Sequence, residues 1–446
     1  MLSKNILIFC YVTDRQTHRR TDNSGSPTPQ GPTFSGIQYS NMISNLHKKT
    51  NKHKLALTIL MPPRKKNAVV ASTASAQFIT IISITDILQH VVEFLLLKDL
   101  VSLDTSLVNK ELRNRFLNSL SEGVISINHS HSYLSLRWIL LRQVRLREIT
   151  FVDVYDDEME NCLMDITESN YGLLESVVQI DARSLYRLNL LFWSSVFLCH
   201  FSNLTSLLFH AKNISLTHLK VLKPVFARLH FLRMYALTDS FDAKAIKLVA
   251  QSSLKLKELI LTFEEPSALT DDGILELIKF RPDLEGLYLY TDASKTLLFS
   301  NVSAAALSNL SAISLKSIAL DAFPNLTSEL FESIFRKMQL VHLQLYDMDQ
   351  LSDINFEHCT NLENITLDNL SVTDSTIKSI SNLESLELLE LEGCTHITDL
   401  GIEHLANGRC HNLSTLDLTR CTSVKGYPLK NFEVEIRTVK KLFCKE

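Results

Sequence analysis

Beyond residue 123 the apolar positions follow one rule: an aliphatic residue, two others, an aliphatic, one other, an aliphatic. The pattern LxxLxL appears as "LREITF" (146–151), "ESVVQI" (175–180), "LTSLLF", "LHFLRM", "LKELIL", "LEGLYL", "LKSIAL", "LVHLQL", "LENITL", "LELLEL" and "LSTLDL". Its central aliphatics fall at 149, 178, 207, 232, 259, 287, 318, 343, 365, 389 and 416, so ten steps cover 267 residues and average about 27. Alternation at the end of each copy predicts a short strand. Between strands a second element recurs with helical spacing behind a polar cap, a Thr-Asp pair in four of the five segments: "LTDSFDAKAIKLV", "LTDDGILELI", "LTSELFESIF", "VTDSTIKSI" and "ITDLGIEHL". A side-chain oxygen at that point satisfies an orphan amide of the helix start. The prediction is an α/β solenoid over 123–446 of about eleven strand–helix units. No unit can bury its apolar face alone, so the units stack, parallel strands lining a concave face and helices the outer one. "VISI" (124–127) adds a first strand and "FEVEI" (432–436) a closing one, while "LYRLNL" at 185 breaks the spacing and is assigned to a helix.

Upstream the pattern changes. In 79–122 Ile84, Ile87, Leu88, Val91, Val92, Phe94 and Leu95 recur at helical spacing behind Thr85 and Asp86, "KDL" makes a polar break, and Leu100, Leu103, Leu107 and Leu112 mark a second helix. So small a helical module buries little by itself and must lean on the next region or on a partner. Residues 1–78, with "RQTHRRTDNSGSPTPQGPTFSG" and the basic "HKKTNKHK", lack the periodic apolar residues that would offset ordering entropy, and are expected to be a disordered tail. "MPPRKKN" resembles a translation start, which suggests Met61 as the true initiator and residues 1–60 as a gene-model extension.

Composition narrows the function. With 45% hydrophobic and 21% charged residues and a net charge of −4, the chain reads as a soluble folded protein without global attraction to nucleic acid or anionic membrane, and partners are expected to be proteins. GxGxxG, GxxxxGK[ST], HExxH and GxSxG are absent, so no catalytic residues and no cofactor are assigned. The apolar run "ILIFCYV" is short for a signal-peptide core and too short to span a bilayer, and the eight cysteines include no CxxC pair. A cytoplasmic or nuclear location is expected.

Six potential ligands, Cys394, His396, His404, Cys410, His411 and Cys421, lie within 28 residues. The repeat separates them. Cys394 and Cys421 each follow a strand's last leucine by three residues and so occupy one place in neighbouring units, whereas Cys410 precedes the strand that Cys421 follows, a strand's length away. They are expected to be structural, with no metal.

Two resemblances turn architecture into function. Asp86, Ile87, Leu88, Val91, Phe94, Leu95, Asp99 and Leu100 resemble an F-box, although the family's leucine-proline and tryptophan are absent. The repeats resemble the cysteine-containing leucine-rich repeats of F-box proteins, "C..L..L.L..C...TD.G...L", in Cys359-Leu362-Ile365-Leu367, in Leu386-Leu389-Leu391-Cys394 with Thr398, Asp399 and Gly401, and in Cys410-Leu413-Leu416-Leu418-Cys421. The resemblance implies a non-catalytic substrate receptor of a Skp/cullin/F-box ubiquitin ligase. Ile87, Leu88, Val91, Phe94, Leu95, Asp99 and Leu100 would dock a Skp-family adaptor joined to a cullin, and the solenoid would hold the client. A scaffold or inhibitor with no ligase link is the other reading.

If the L positions point into the core, the x positions line the concavity. They hold Arg233, Tyr235, Tyr288, Tyr290, His342 and Tyr346 in the middle repeats, read as exposed anchors of an interface, and Glu387, Glu390 and Asp417 among an acidic stripe towards the C-terminus. That stripe suggests a client presenting a basic segment.

Overall fold

The computed structural model describes residues 147–150, 175–183, 201–212, 214–292 and 297–425 with their side chains, scattered positions in 110–117, and the backbone of 124–128, 151–152 and 438–440. The F-box-like segment from Ile87 to Leu100, the N-terminal tail, "LYRLNL" and "FEVEI" lie outside the described residues. The chain divides into two units, Met1–Leu204 and Thr205–Glu446.

In the first unit β1 (Val124–Asn128), β2 (Glu148–Val152) and β3 (Gln179–Ala182) pair in parallel, with Ile125 beside Ile149 and Ile149 beside Ile180. The predicted centre of the second copy, Val178, is therefore displaced by two residues. Val177, Ile180 and Ala182 are the buried set, spaced three and two apart as LxxLxL requires. The copy was hidden because its last position is filled by alanine.

In the second unit ten parallel strands follow chain order: β4 (Ser206–His210), β5 (Phe231–Leu237), β6 (Glu258–Phe263), β7 (Gly286–Thr291), β8 (Ser317–Asp321), β9 (His342–Tyr346), β10 (Asn364–Asp368), β11 (Leu388–Glu390), β12 (Thr415–Asp417) and β13 (Thr438–Lys440). The last strand described is Thr438–Lys440, and "FEVEI" itself lies outside the described residues. Leu207, Leu232, Leu259, Leu287, Ile318, Leu343, Ile365, Leu389 and Leu416 stand side by side in one register row, each at most 1% exposed. The predicted central aliphatics of these nine copies are that row. Phe241, Phe263, Phe299 and Phe323 run through the core as a chain of ring contacts with centroids 6.4, 5.4 and 4.4 Å apart. Aromatic contact at these separations adds to the area buried and ties one repeat to the next.

Helices α1 (Leu216–Phe226), α2 (Ala243–Ser252), α3 (Asp271–Phe280), α4 (Ala304–Ser308), α5 (Ser328–Phe335), α6 (Asp374–Ile380) and α7 (Asp399–Ala406) follow β4 to β8, β10 and β11. Thr373 and Thr398 cap α6 and α7 through their hydroxyls, as the Thr-Asp pair predicts, and Thr327, followed by a serine, caps α5 in the same way, whereas the Thr270 hydroxyl at the start of α3 makes no cap bond. Thr238 and Asp239 do not cap α2: its cap is Asp242, whose carboxylate accepts from Lys244 and Ala245. The aspartate of the pair has a different task. Asp271 accepts from Ser303, Asp374 from Thr398, and Asp399 from the Lys425 amide, each in the following repeat.

Not every unit carries a helix. Between β9 and β10 the chain runs without one, and its buried amides at Ile354 and Phe356 donate to the hydroxyls of Thr376 and Ser379 on α6, at 3.0 and 3.1 Å. Side chains of the next helix replace the bonds that a helix would have supplied. This is why buried polar residues, normally a liability, sit on the inner face of α6.

Candidate interaction surface

Alternation puts one side of each strand on the core and the other on an opposite face. In register that face carries three rows. The first is Ser206, Phe231, Glu258, Gly286, Ser317, His342, Asn364, Leu388 and Thr415; the second is Leu208, Arg233, Ile260, Tyr288, Ala319, Gln344, Thr366, Glu390 and Asp417. His210 pairs with Tyr235, Thr262 with Tyr290, Asp321 with Tyr346 and Tyr346 with Asp368 in the third. Arg233, Tyr235, Tyr288, Tyr290, His342, Tyr346, Glu390 and Asp417 all stand on this face. Glu387 is not: it lies one residue before β11, exposed, on a rim that also holds Lys257, Glu285, Lys316 and Glu363. There Glu285 is paired with Lys316 at 2.7 Å and Lys257 at 3.1 Å.

The expectation of exposed anchors needs a second correction. Arg233 is 4% exposed, Tyr290 4% and Tyr346 5%. Neighbouring repeats bring their face side chains close enough to bury one another. The rings of Tyr290 and Tyr346 meet edge to face with centroids 5.9 Å apart, and the Tyr290 hydroxyl donates to Gln344 Oε1 at 3.0 Å. Burial, with the Glu258 carboxylate beside it, pushes the Tyr288 phenol up to about 12. Gly286 makes room for that ring, since a Cβ there would stand 2.9 Å from it. Asp321, wholly buried, accepts from the Thr291 amide and hydroxyl at 3.0 and 3.1 Å.

Towards the C-terminus the face is acidic but partly compensated. Thr366 donates to Glu390 at 3.0 Å, and Asp417 accepts from the amide and hydroxyl of Thr419. Arg420, which the strand pattern does not reveal, reaches Glu392 at 2.7 Å and Asp368 at 3.7 Å. It can do so because it sits in the left-handed region, φ 61°, just past the strand. The same turn recurs at Ala322, Asp347, Asn369 and Gly393, and only at Gly393 does the side chain have to be absent: a Cβ would stand 2.2 Å from Asn369 Oδ1.

The described cysteines, Cys359, Cys394, Cys410 and Cys421, are buried thiols. The Cys394 thiol donates to the Leu367 carbonyl at 3.3 Å and the Cys421 thiol to the Leu391 carbonyl at 2.7 Å, the same bond one repeat apart. Cys410 donates to Leu405 instead. Burial pushes the Cys394 thiol up to about 12 and the Cys359 thiol up to about 11, so neither supplies a thiolate at neutral pH. Among the described residues no group of three or more His, Cys, Asp or Glu side chains could hold a metal ion.

No protein-family model matches the sequence. Among solved structures, the chain is similar to the crystal structure of the Rad7 and Elc1 complex in yeast, with a TM-score of 0.58 and 14% identity over 92% of this chain and 98% of that one. It is also similar to an internalin from Listeria monocytogenes, with a TM-score of 0.35 and 13% identity over 72% and 93% of the two chains. At such identity the first likeness speaks for the fold alone. The repeated units are leucine-rich repeats stacked as a solenoid, with parallel strands on one side and helices on the other.

Proposed function

We propose that this chain is the substrate-recognition subunit of a cullin-RING ubiquitin ligase of the Skp/cullin/F-box type, acting in the cytoplasm or nucleus. It captures a client protein on the strand face of the repeats and does no chemistry itself. The observation that carries the reading is the joining, in one chain, of an F-box-like segment at Ile87–Leu100 to a solenoid whose Cys394 and Cys421 thiols and Asp374–Thr398 clamp give physical reasons for the cysteine-containing repeat pattern. The similarity to Rad7, solved in complex with Elc1, supports a repeat protein that works with a second chain. The acidic end of the face, Glu390, Glu392 and Asp417, supports a client with a basic segment.

Co-purification of the full chain with a Skp-family adaptor and a cullin tests the assignment. Both are expected with the wild type and lost on Leu95→Asp combined with Leu100→Asp. Their absence from the wild type would make the protein a scaffold or inhibitor.

A further inference from the structure

Arg233 on β5 is a charge in an unexpected place. Its neighbours in the row are Leu208 on β4 and Ile260 on β6, themselves 7% and 4% exposed. Its guanidinium lies over the Tyr235 ring, 4.4 Å from the centroid, and its Nε is buried with no hydrogen-bond partner. Among the described residues no carboxylate comes within ion-pairing distance of it, in contrast to Arg183, Arg281 and Arg420, each of which holds one. An unpaired cation removed from water is costly, and a cation–π contact recovers only part of that cost.

A second buried polar group is unsatisfied beside it. The Thr262 hydroxyl on β6 also lacks a partner. Between these strands the register slips: Met234 pairs with Leu261 but Leu237 with Phe263, so that Tyr235 and Ala236 together oppose Thr262. Ala236 is left-handed there, with φ 55°. A bulge of this kind re-aims side chains and is common beside binding sites.

We propose that Arg233 and Thr262 form a carboxylate-binding site that takes the C-terminal carboxylate of a bound polypeptide, with the terminal side chain against Leu208 and Ile260. The guanidinium fork matches the two oxygens of a carboxylate, and the hydroxyl supplies a further donor. The charge count selects a monoanion over a phosphate. His210 is held below its usual range by burial and by the nearby Lys212, so it adds no positive charge at neutral pH, and Lys212 is paired with Glu264 at 2.9 Å. Glu258, two residues before Ile260 on the same face, would repel a dianion. The site rests on the reading of this face as a client surface, and it gives that surface a polarity: a cation on β5 for the chain end, acids on β11 and β12 for a basic segment.

The test is the thermal midpoint of the purified full chain, titrated separately with N-acetyl-leucine, N-acetyl-leucinamide, the α-amide of N-acetyl-glutamate, and inorganic phosphate. N-acetyl-leucine is expected to raise the midpoint in a saturable way and the amide to leave it unmoved. Arg233→Met is expected to abolish the response and, because it removes an uncompensated buried charge, to raise the midpoint without ligand. Thr262→Val, nearly isosteric, should weaken the response several-fold and keeps the proposal testable if Arg233→Met does not fold. No response to N-acetyl-leucine, protection by phosphate alone, or a lowered midpoint in ligand-free Arg233→Met overturns the site. Equal protection by the glutamate side chain overturns the assignment to a chain end. No adaptor is present in these measurements, so they fail or succeed independently of the co-purification that tests the ligase assignment.

Discussion

Asp374 opens α6 and holds Thr398, the cap of α7: the Thr398 amide and hydroxyl donate to its two carboxylate oxygens at 2.8 and 2.6 Å. Asp271 holds Ser303 in the same way four repeats earlier. At Thr373-Asp374 and Thr398-Asp399 the threonine therefore serves its own helix and the aspartate the next repeat, making the pair an inter-repeat clamp as well as a cap. Asp374→Ala is expected to cost about 1–3 kcal/mol, more than an ordinary surface change, because two donors lose a charged acceptor. Chemical denaturation of the full chain would show it as a lower midpoint.

Gly401 completes the clamp. A Cβ there would stand 2.4 Å from Asp374 Oδ1, so the glycine of the "TDLG" run admits the carboxylate. Alanine would gain about 1 kcal/mol of helix propensity at an open site. Here Gly401→Ala is expected to destabilise instead, and a double-mutant cycle with Asp374→Ala should show strong coupling.

The buried thiols and phenol set an alkaline limit. Folded Cys394 and Tyr288 ionise near 12 and Cys359 near 11, above the 9.0 and 10.0 of free thiol and phenol. The folded state retains protons that the unfolded state loses, so stability is full below about pH 9 and falls as pH rises towards 12. The fall should be on the order of a few kcal/mol and shallower in Cys394→Ala, read from denaturation midpoints at stepped pH.

Arg420 restrains the acidic end of the face by pairing with Glu392 and approaching Asp368. Arg420→Gln should leave stability within about 1 kcal/mol, because the pair is partly exposed. It should raise the affinity for a basic client segment and steepen its salt dependence. Weaker client binding by Arg420→Gln would contradict the basic-segment reading.

Glu390→Lys combined with Asp417→Lys reverses the same field from the strands themselves. Client capture should fall at least tenfold while adaptor binding is kept. Unchanged capture of a known client would remove the acidic stripe from the mechanism.

The repeat was legible in the sequence because it is written in the residues that every unit must bury. Leu232, Leu259, Leu287, Ile318 and their counterparts recur at the period of the stack, and no neighbour can replace them. The second copy is displaced by two residues, since alanine at 182 fills a leucine position without looking like one. Which residues share the strand face was also readable, for alternation is local; Glu387 escaped it by lying just outside its strand.

Only the tertiary structure decided what that face is like. Whether Tyr290 is an open anchor or a buried ring depends on Tyr346, 56 residues away in sequence and two strands away in space. The same holds for the missing helix between β9 and β10, made tolerable by hydroxyls from α6, and for Arg233, whose buried Nε finds no hydrogen-bond partner among the described residues. Local sequence sets period and direction because those depend on the chain's own geometry, whereas burial and charge compensation depend on which repeats become neighbours.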